Sequence, residues 1–250
     1  MTQKLVNLKE EYYKYLDRKS RHLGYLLSKY KCVTKLFLKY ITELYESENG
    51  PKRLYKNNKF ESAYNNPISS DLEFLISRIL YYYSKFKKLN WKIYLRRQVG
   101  KTAPDIRIEK NNKTIAIIEV KAKAGWIQCF FSKDRKKKDL IRFNEGRGNM
   151  HPDDFIKRIK SQFTKYYKEF KIKPNQVYVL LPTFTLVHRK KSKLNLKDYC
   201  NEFSKNSGLP SKNLIILSNN LLLNLDSKIS QKEYQPTKIL ENVIKNLTNY

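Results

Sequence analysis

The chain has 250 residues, 52 of them Lys or Arg against 23 Asp or Glu, and its formal charge of +29 predicts attraction to polyanions, nucleic acid first. With 40% hydrophobic residues it can build a core, and the absence of an apolar run of about 18 residues or a signal-peptide h-region argues against a membrane partner. Cys32, Cys129 and Cys200 form no Cys-x-x-Cys pair, His22, His151 and His188 lack metal-ligand spacing, and no P-loop is present, which excludes a disulfide framework, structural zinc and a nucleotide cofactor and fits a reducing cytoplasm.

Helical periodicity covers residues 3 to 17 and 20 to 47, where Leu23, Leu26, Leu27, Tyr30, Val33, Phe37, Tyr40, Ile41 and Leu44 form an apolar stripe. Gly50-Pro51 is placed to end the second helix. Tyr25, Lys29, Lys31 and Lys39 flank the stripe and fit a packing face, a phosphate contact or a subunit contact. Residues 51 to 69, rich in Asn, Lys and Pro, read as a linker, which divides the chain into an N-terminal helical region (1–69) and a larger domain (70–250). Ser70-x-x-Glu73 has the form of a capping box and predicts a helix running to about Lys88. Residues 91 to 98 then alternate Trp91, Ile93 and Leu95 with polar neighbours, as a strand does.

Two further strands flank Asn111-Asn112 and predict an antiparallel hairpin. A period of 2 puts Asp105, Arg107 and Glu109 on one face of the first, and Ile106 and Ile108 on the other. In the second, Ile115, Ile117, Glu119 and Lys121 share a face opposite Ala116, Ile118 and Val120. Glu119 and Lys121 ending so apolar a strand would be costly unless they pair or bind an ion. Converging acids and a lysine can hold a hard divalent cation beside a phosphodiester. An edge hairpin with solvated charges is the alternative.

Pro104-Asp105 followed by Glu119-Val120-Lys121 resembles the PD-(D/E)XK nuclease superfamily over about residues 70 to 220. The resemblance implies an α/β, restriction-endonuclease-like fold, with a central mixed sheet built from a helix, three strands, a helix and a strand, flanked by helices and preceded by the N-terminal helical extension. It implies Mg²⁺ on Asp105, Glu119 and the carbonyl of Val120, with Lys121 stabilising charge at the scissile phosphate. It also implies an acid from the preceding helix; Glu73 is the candidate, with Asp71 competing.

Beyond the hairpin, a basic stretch holds Lys123, Gln128, Lys133, Arg135, Lys136 and Arg147, placed to track a DNA backbone or to form a solvated loop. Pro152-Asp153-Asp154 opens a helix with Phe155, Ile159, Phe163 and Tyr167 as its stripe. Its Gln162-x-x-x-Tyr166 resembles a motif of the RecB-like branch of the same superfamily. Residues 176–182 and 214–217 read as buried strands, and 237–248 as a closing helix. The expected activity is a Mg²⁺-dependent endonuclease of double-stranded DNA like a type II restriction enzyme, as a homodimer if its target is palindromic. A structure-specific or mobile-element nuclease and a noncatalytic basic nucleic-acid-binding protein are the alternatives.

Overall fold

A computed structural model describes residues 3–45, 67–121, 141–142, 149–150, 152–183, 196–218 and 235–250. The first helix, α1 (Gln3–Ser28), buries Tyr12, Leu16, Leu23 and Leu27 along one stripe and runs unbroken through residues 18 and 19, where two helices were expected to meet. It ends earlier than the periodicity predicts. Tyr30 takes a left-handed φ of 58°, its N–H donates to Leu27 O at 3.0 Å, and Lys31 N–H donates to Leu26 O at 3.2 Å, which is a Schellman stop with Tyr where Gly is usual. The second helix, α2 (Thr34–Tyr45), is capped from far away: Glu241 Oε1 accepts from Val33 N–H and Thr34 N–H, both at 2.9 Å, and from Thr34 Oγ1 at 2.7 Å.

Helix α3 (Pro67–Lys87) starts with proline, whose fixed φ suits a first turn. Ser70 and Glu73 therefore lie inside the helix, and the expected capping box gives way to an ion pair between Glu73 and Arg96. Gly24 lets α1 approach α3 closely, since a Cβ there would sit 2.7 Å from Tyr82 Cβ.

Strands β1 (Lys92–Leu95), β2 (Ile106–Lys110) and β3 (Lys113–Val120) form an antiparallel meander. The hairpin is as expected, with Asn111 and Asn112 at φ of 52° and 60°, the two left-handed positions of a type I′ turn. Short strands β4 (Ile141–Arg142) and β5 (Asn149–Met150) pair with each other. Helix α4 (Pro152–Phe170) leads to β6 (Val177–Thr183), parallel to β3, and α5 (Leu196–Ser207) leads to β7 (Leu214–Ser218), parallel to β6. The order is β1-β2-β3-β6-β7, and α6 (Ile239–Thr248) follows. The fold is α/β around a five-stranded mixed sheet.

The two crossover helices, α4 and α5, cover one face of the sheet and α1, α3 and α6 the other, so its central strands are apolar on both sides. Ala116, Ile118 and Val120 pack into a cluster with residues of α1, α3 and α6, whereas Ile117 packs with Ile159, Phe163 and Tyr166 of α4 and Phe203 of α5. Ile115 departs from the expected alternation. The β2–β3 register shifts between Ile108 and Glu109, so Ile115 joins the first cluster and not the face of Ile117. Among the described residues no helix is long and apolar enough to cross a membrane.

Candidate active site

The pairing of Ile106 with Ile118 brings Asp105, one residue before β2, beside Glu119 near the end of β3. The backbone ties the two together. Asp105 N–H donates to Glu119 Oε1 at 3.4 Å, and Val120 N–H donates to Asp105 Oδ2 at 2.8 Å. Lys121 follows β3 directly and is anchored by its N–H to Leu180 O of β6 at 2.9 Å. Its Nζ donates to Glu119 Oε2 at 2.9 Å and lies 3.5 Å from Asp105 Oδ2.

Helix α4 closes over the same carboxylate. Residues four apart share a helix face. Tyr166 OH donates to Glu119 Oε1 at 2.7 Å, and Gln162 Nε2 reaches Glu119 Oε2 at 3.2 Å and Tyr166 OH at 2.6 Å. Glu119, only 2% exposed, thus has donors on both oxygens. The expected stripe named Tyr167; Tyr166 is the buried ring, with Tyr167 packed partly against the same cluster.

Glu73 approaches from α3. Arg96 Nε and Nη2 grip its carboxylate, Nη2 at 2.8 Å from Oε1. It is near enough to push the pKa values of both Asp105 and Lys121 upward. Asp71 faces elsewhere, accepting from Tyr12 OH at 2.6 Å. Sequence reasoning missed Arg96, although its place at the end of β1 puts it level with Asp105, whose O accepts from Arg96 N–H at 2.9 Å. Lys123, Gln128, Lys133, Arg135, Lys136 and Arg147 lie outside the described residues, as do Gly50-Pro51, Cys129, His151 and His188.

Three carboxylates, Asp105, Glu119 and Glu73, face two cations, Lys121 and Arg96. The surplus negative charge falls on Asp105. Burial, then repulsion from Glu119 and Glu73, raise its pKa to about 7, against the opposing pull of Lys121 and the Val120 N–H. Burial also pushes Glu119 upward, yet Lys121, Tyr166 and the Asp105 N–H together hold it below its ordinary value. Burial works against the Lys121 ammonium, but Glu119 and Asp105 outweigh it and raise its pKa. Tyr166 is raised by burial and then by Glu119, so its hydroxyl stays a donor.

A divalent cation would replace the proton of Asp105 and turn a surplus of one negative charge into one positive charge, which suits a phosphate anion. The donors fit a hard ion: two carboxylates on adjacent strands, with the Val120 carbonyl between Glu119 and Lys121 in the chain. Among the described residues no three His, Cys, Asp or Glu side chains form a full cage. Mg²⁺ needs none, because it binds through one or two carboxylates and keeps several waters. No protein-family model, curated protein or solved structure matches the chain.

Proposed function

We propose that the chain is a Mg²⁺-dependent endodeoxyribonuclease that hydrolyses phosphodiester bonds in double-stranded DNA, with a restriction-endonuclease-like core. The observation that carries this reading is the meeting of Asp105, Glu119 and Lys121 at the C-terminal end of the central strand β3, with surplus negative charge among the described residues. The order helix α3, strands β1 to β3, helix α4 and strand β6 supports it, as does the chain's net charge of +29, which draws it to a phosphate backbone.

Asp105 and Glu119 would hold the metal, which when bound supplies Lewis-acid activation of water and charge neutralisation at the phosphate. Glu119 and Asp105 favour the Lys121 ammonium, so its role is a positive charge for the phosphoryl oxygens and the attacking water ahead of general-base action. Tyr166 and Gln162 fix the direction of Glu119, and Arg96 fixes Glu73. In-line attack by water leaves a 3′-hydroxyl and a 5′-phosphate. On a palindromic target a symmetric homodimer would cut one strand with each protomer.

The hydrogen bonds from Gln162 and Tyr166 to Glu119 favour a second reading, a structure-specific or mobile-element nuclease, because that motif resembles the RecB-like branch. Incubation with mixed-sequence duplex DNA and Mg²⁺ separates the possibilities. Discrete fragments support the restriction-type reading, and cleavage of branched substrates alone supports the second. Shifted but intact DNA in both cases rejects catalysis and leaves a basic binding protein.

A further inference from the structure

Four of the six exposed large hydrophobic side chains among the described residues lie on the outer surface of α1, α3 and the turn after α1: Tyr25, Tyr30, Tyr81 and Phe86. Scattered exposed apolar groups need no explanation, but a concentrated group does. Tyr25, Phe86 and Tyr81 are linked in one chain of rings through Tyr82. Tyr25 and Phe86 meet edge to face with centroids 5.5 Å apart, Phe86 stacks on Tyr82 at 6.3 Å, and Tyr82 meets Tyr81 at 5.2 Å. The close approach of the two helices at Gly24 brings the Tyr25 side of α1 against the Tyr82 side of α3.

Cations are threaded among the rings. The Arg78 guanidinium lies 4.5 Å from the Tyr81 centroid and 4.9 Å from that of Tyr82, Lys29 lies 5.8 Å from Tyr25, and Lys87 lies 3.7 Å from Tyr30. Arg78 is held in place by Asp17, 2.5 Å from its Nε, and Asp17 also accepts from Tyr82 OH at 2.6 Å. The acid at this surface is therefore already engaged. Tyr30 is the most open of these rings, at 78% exposed, and stands at the left-handed stop of α1 where glycine is usual.

We propose that this face of α1 and α3 is a stacking platform for single-stranded DNA. Flat exposed rings interleaved with Lys and Arg match unpaired bases joined by phosphates, the combination that sequence-tolerant single-strand binders use. With Asp17 already engaged, the cations among the rings favour a polyanion at this face over a second copy of the chain. The choice of DNA rests on the nuclease reading above; the platform itself does not. By helix rise, α3 carries Phe86 roughly 20 Å along the axis from Glu73, so the platform extends away from the active site.

The test measures binding in EDTA, where cleavage plays no part, using fluorescent oligo(dT) and a duplex with the same number of phosphates. The triple variant Tyr25→Ala, Tyr30→Ala, Phe86→Ala is expected to lose about tenfold or more in affinity for oligo(dT), with little change for the duplex. Tyr30→Gly relieves the left-handed strain, so it is expected to raise the Tm while weakening oligo(dT) binding. Unchanged oligo(dT) binding in the triple variant, equal losses on both DNAs, or a change in sedimentation of the free protein would each overturn the platform. Cleavage of duplex DNA by the same folded variant, assayed separately with Mg²⁺, reports on the active site alone.

Discussion

Strand β2 and its flanks carry two groups of buried charge that look alike in sequence and differ in outcome. Arg107 pairs with Glu109, and its guanidinium lies 4.3 Å from the Tyr94 ring centroid and 5.2 Å from that of Phe170. One cation meets one anion, and aromatic rings flank the pair. A few residues earlier, Asp105 joins Glu119, Glu73, Lys121 and Arg96, where acids exceed bases by one among the described residues. The Arg107–Glu109 pair is balanced in charge, although Arg107 Nε is buried without a hydrogen-bond partner. Burial and the unbalanced group raise the pKa of Asp105 to about 7, and a divalent ion could take the place of its proton.

The largest expected effect breaks the unbalanced group. Lys121→Ala and Asp105→Ala should each lower DNA cleavage by roughly 10²–10³-fold or more, as loss of a fixed transition-state charge does, while gel-shift affinity for duplex DNA stays close to that of the parent. Next comes the support for Glu119. Tyr166→Phe keeps the buried ring and removes the donor, and should cost about 10–100-fold in Mg²⁺ requirement or turnover, read from cleavage rates over a Mg²⁺ titration.

The third effect is in stability. Asp105 has a folded pKa raised from 3.8 to about 7, so its contribution is intact at low pH and is lost as pH rises through 7. Metal-free protein should therefore lose stability as this carboxylate ionises, mostly between about pH 4 and 8. Asp105→Asn should be more stable than the parent at pH 8 without metal, and Mg²⁺ should raise the Tm of the parent only. The smallest effect belongs to the balanced pair. Arg107→Met with Glu109→Gln should leave cleavage unchanged and shift the Tm little, because replacing a buried pair by matched uncharged groups is often close to neutral.

How much of this was legible in the sequence follows from the range of each interaction. The hairpin could be read because Asn111-Asn112 is a local turn signal, but the turn register alone would set Asp105 opposite Ile118, and the one-residue shift after Ile108 is what brings it opposite Glu119. Gln162 and Tyr166 could be read as a pair because helical spacing puts both on one face. What they bind could not, since Glu119 lies more than forty residues away in the chain. The end of α1 was missed because Tyr30 stands where Gly would signal a stop, and the start of α2 because its cap, Glu241, comes from the far end of the sequence. The bulge at Ile115, opposite Ile108 and Glu109, likewise leaves no mark in a run of apolar residues.

Titration of metal-free protein with Mg²⁺ at pH 7, followed by calorimetry in buffers of different ionisation heat, tests the central claim most directly. Binding accompanied by proton release, lost in Asp105→Asn and retained in Arg107→Met with Glu109→Gln, is the predicted result. Binding without proton release, undiminished binding in Asp105→Asn, or no binding at millimolar Mg²⁺ would contradict it.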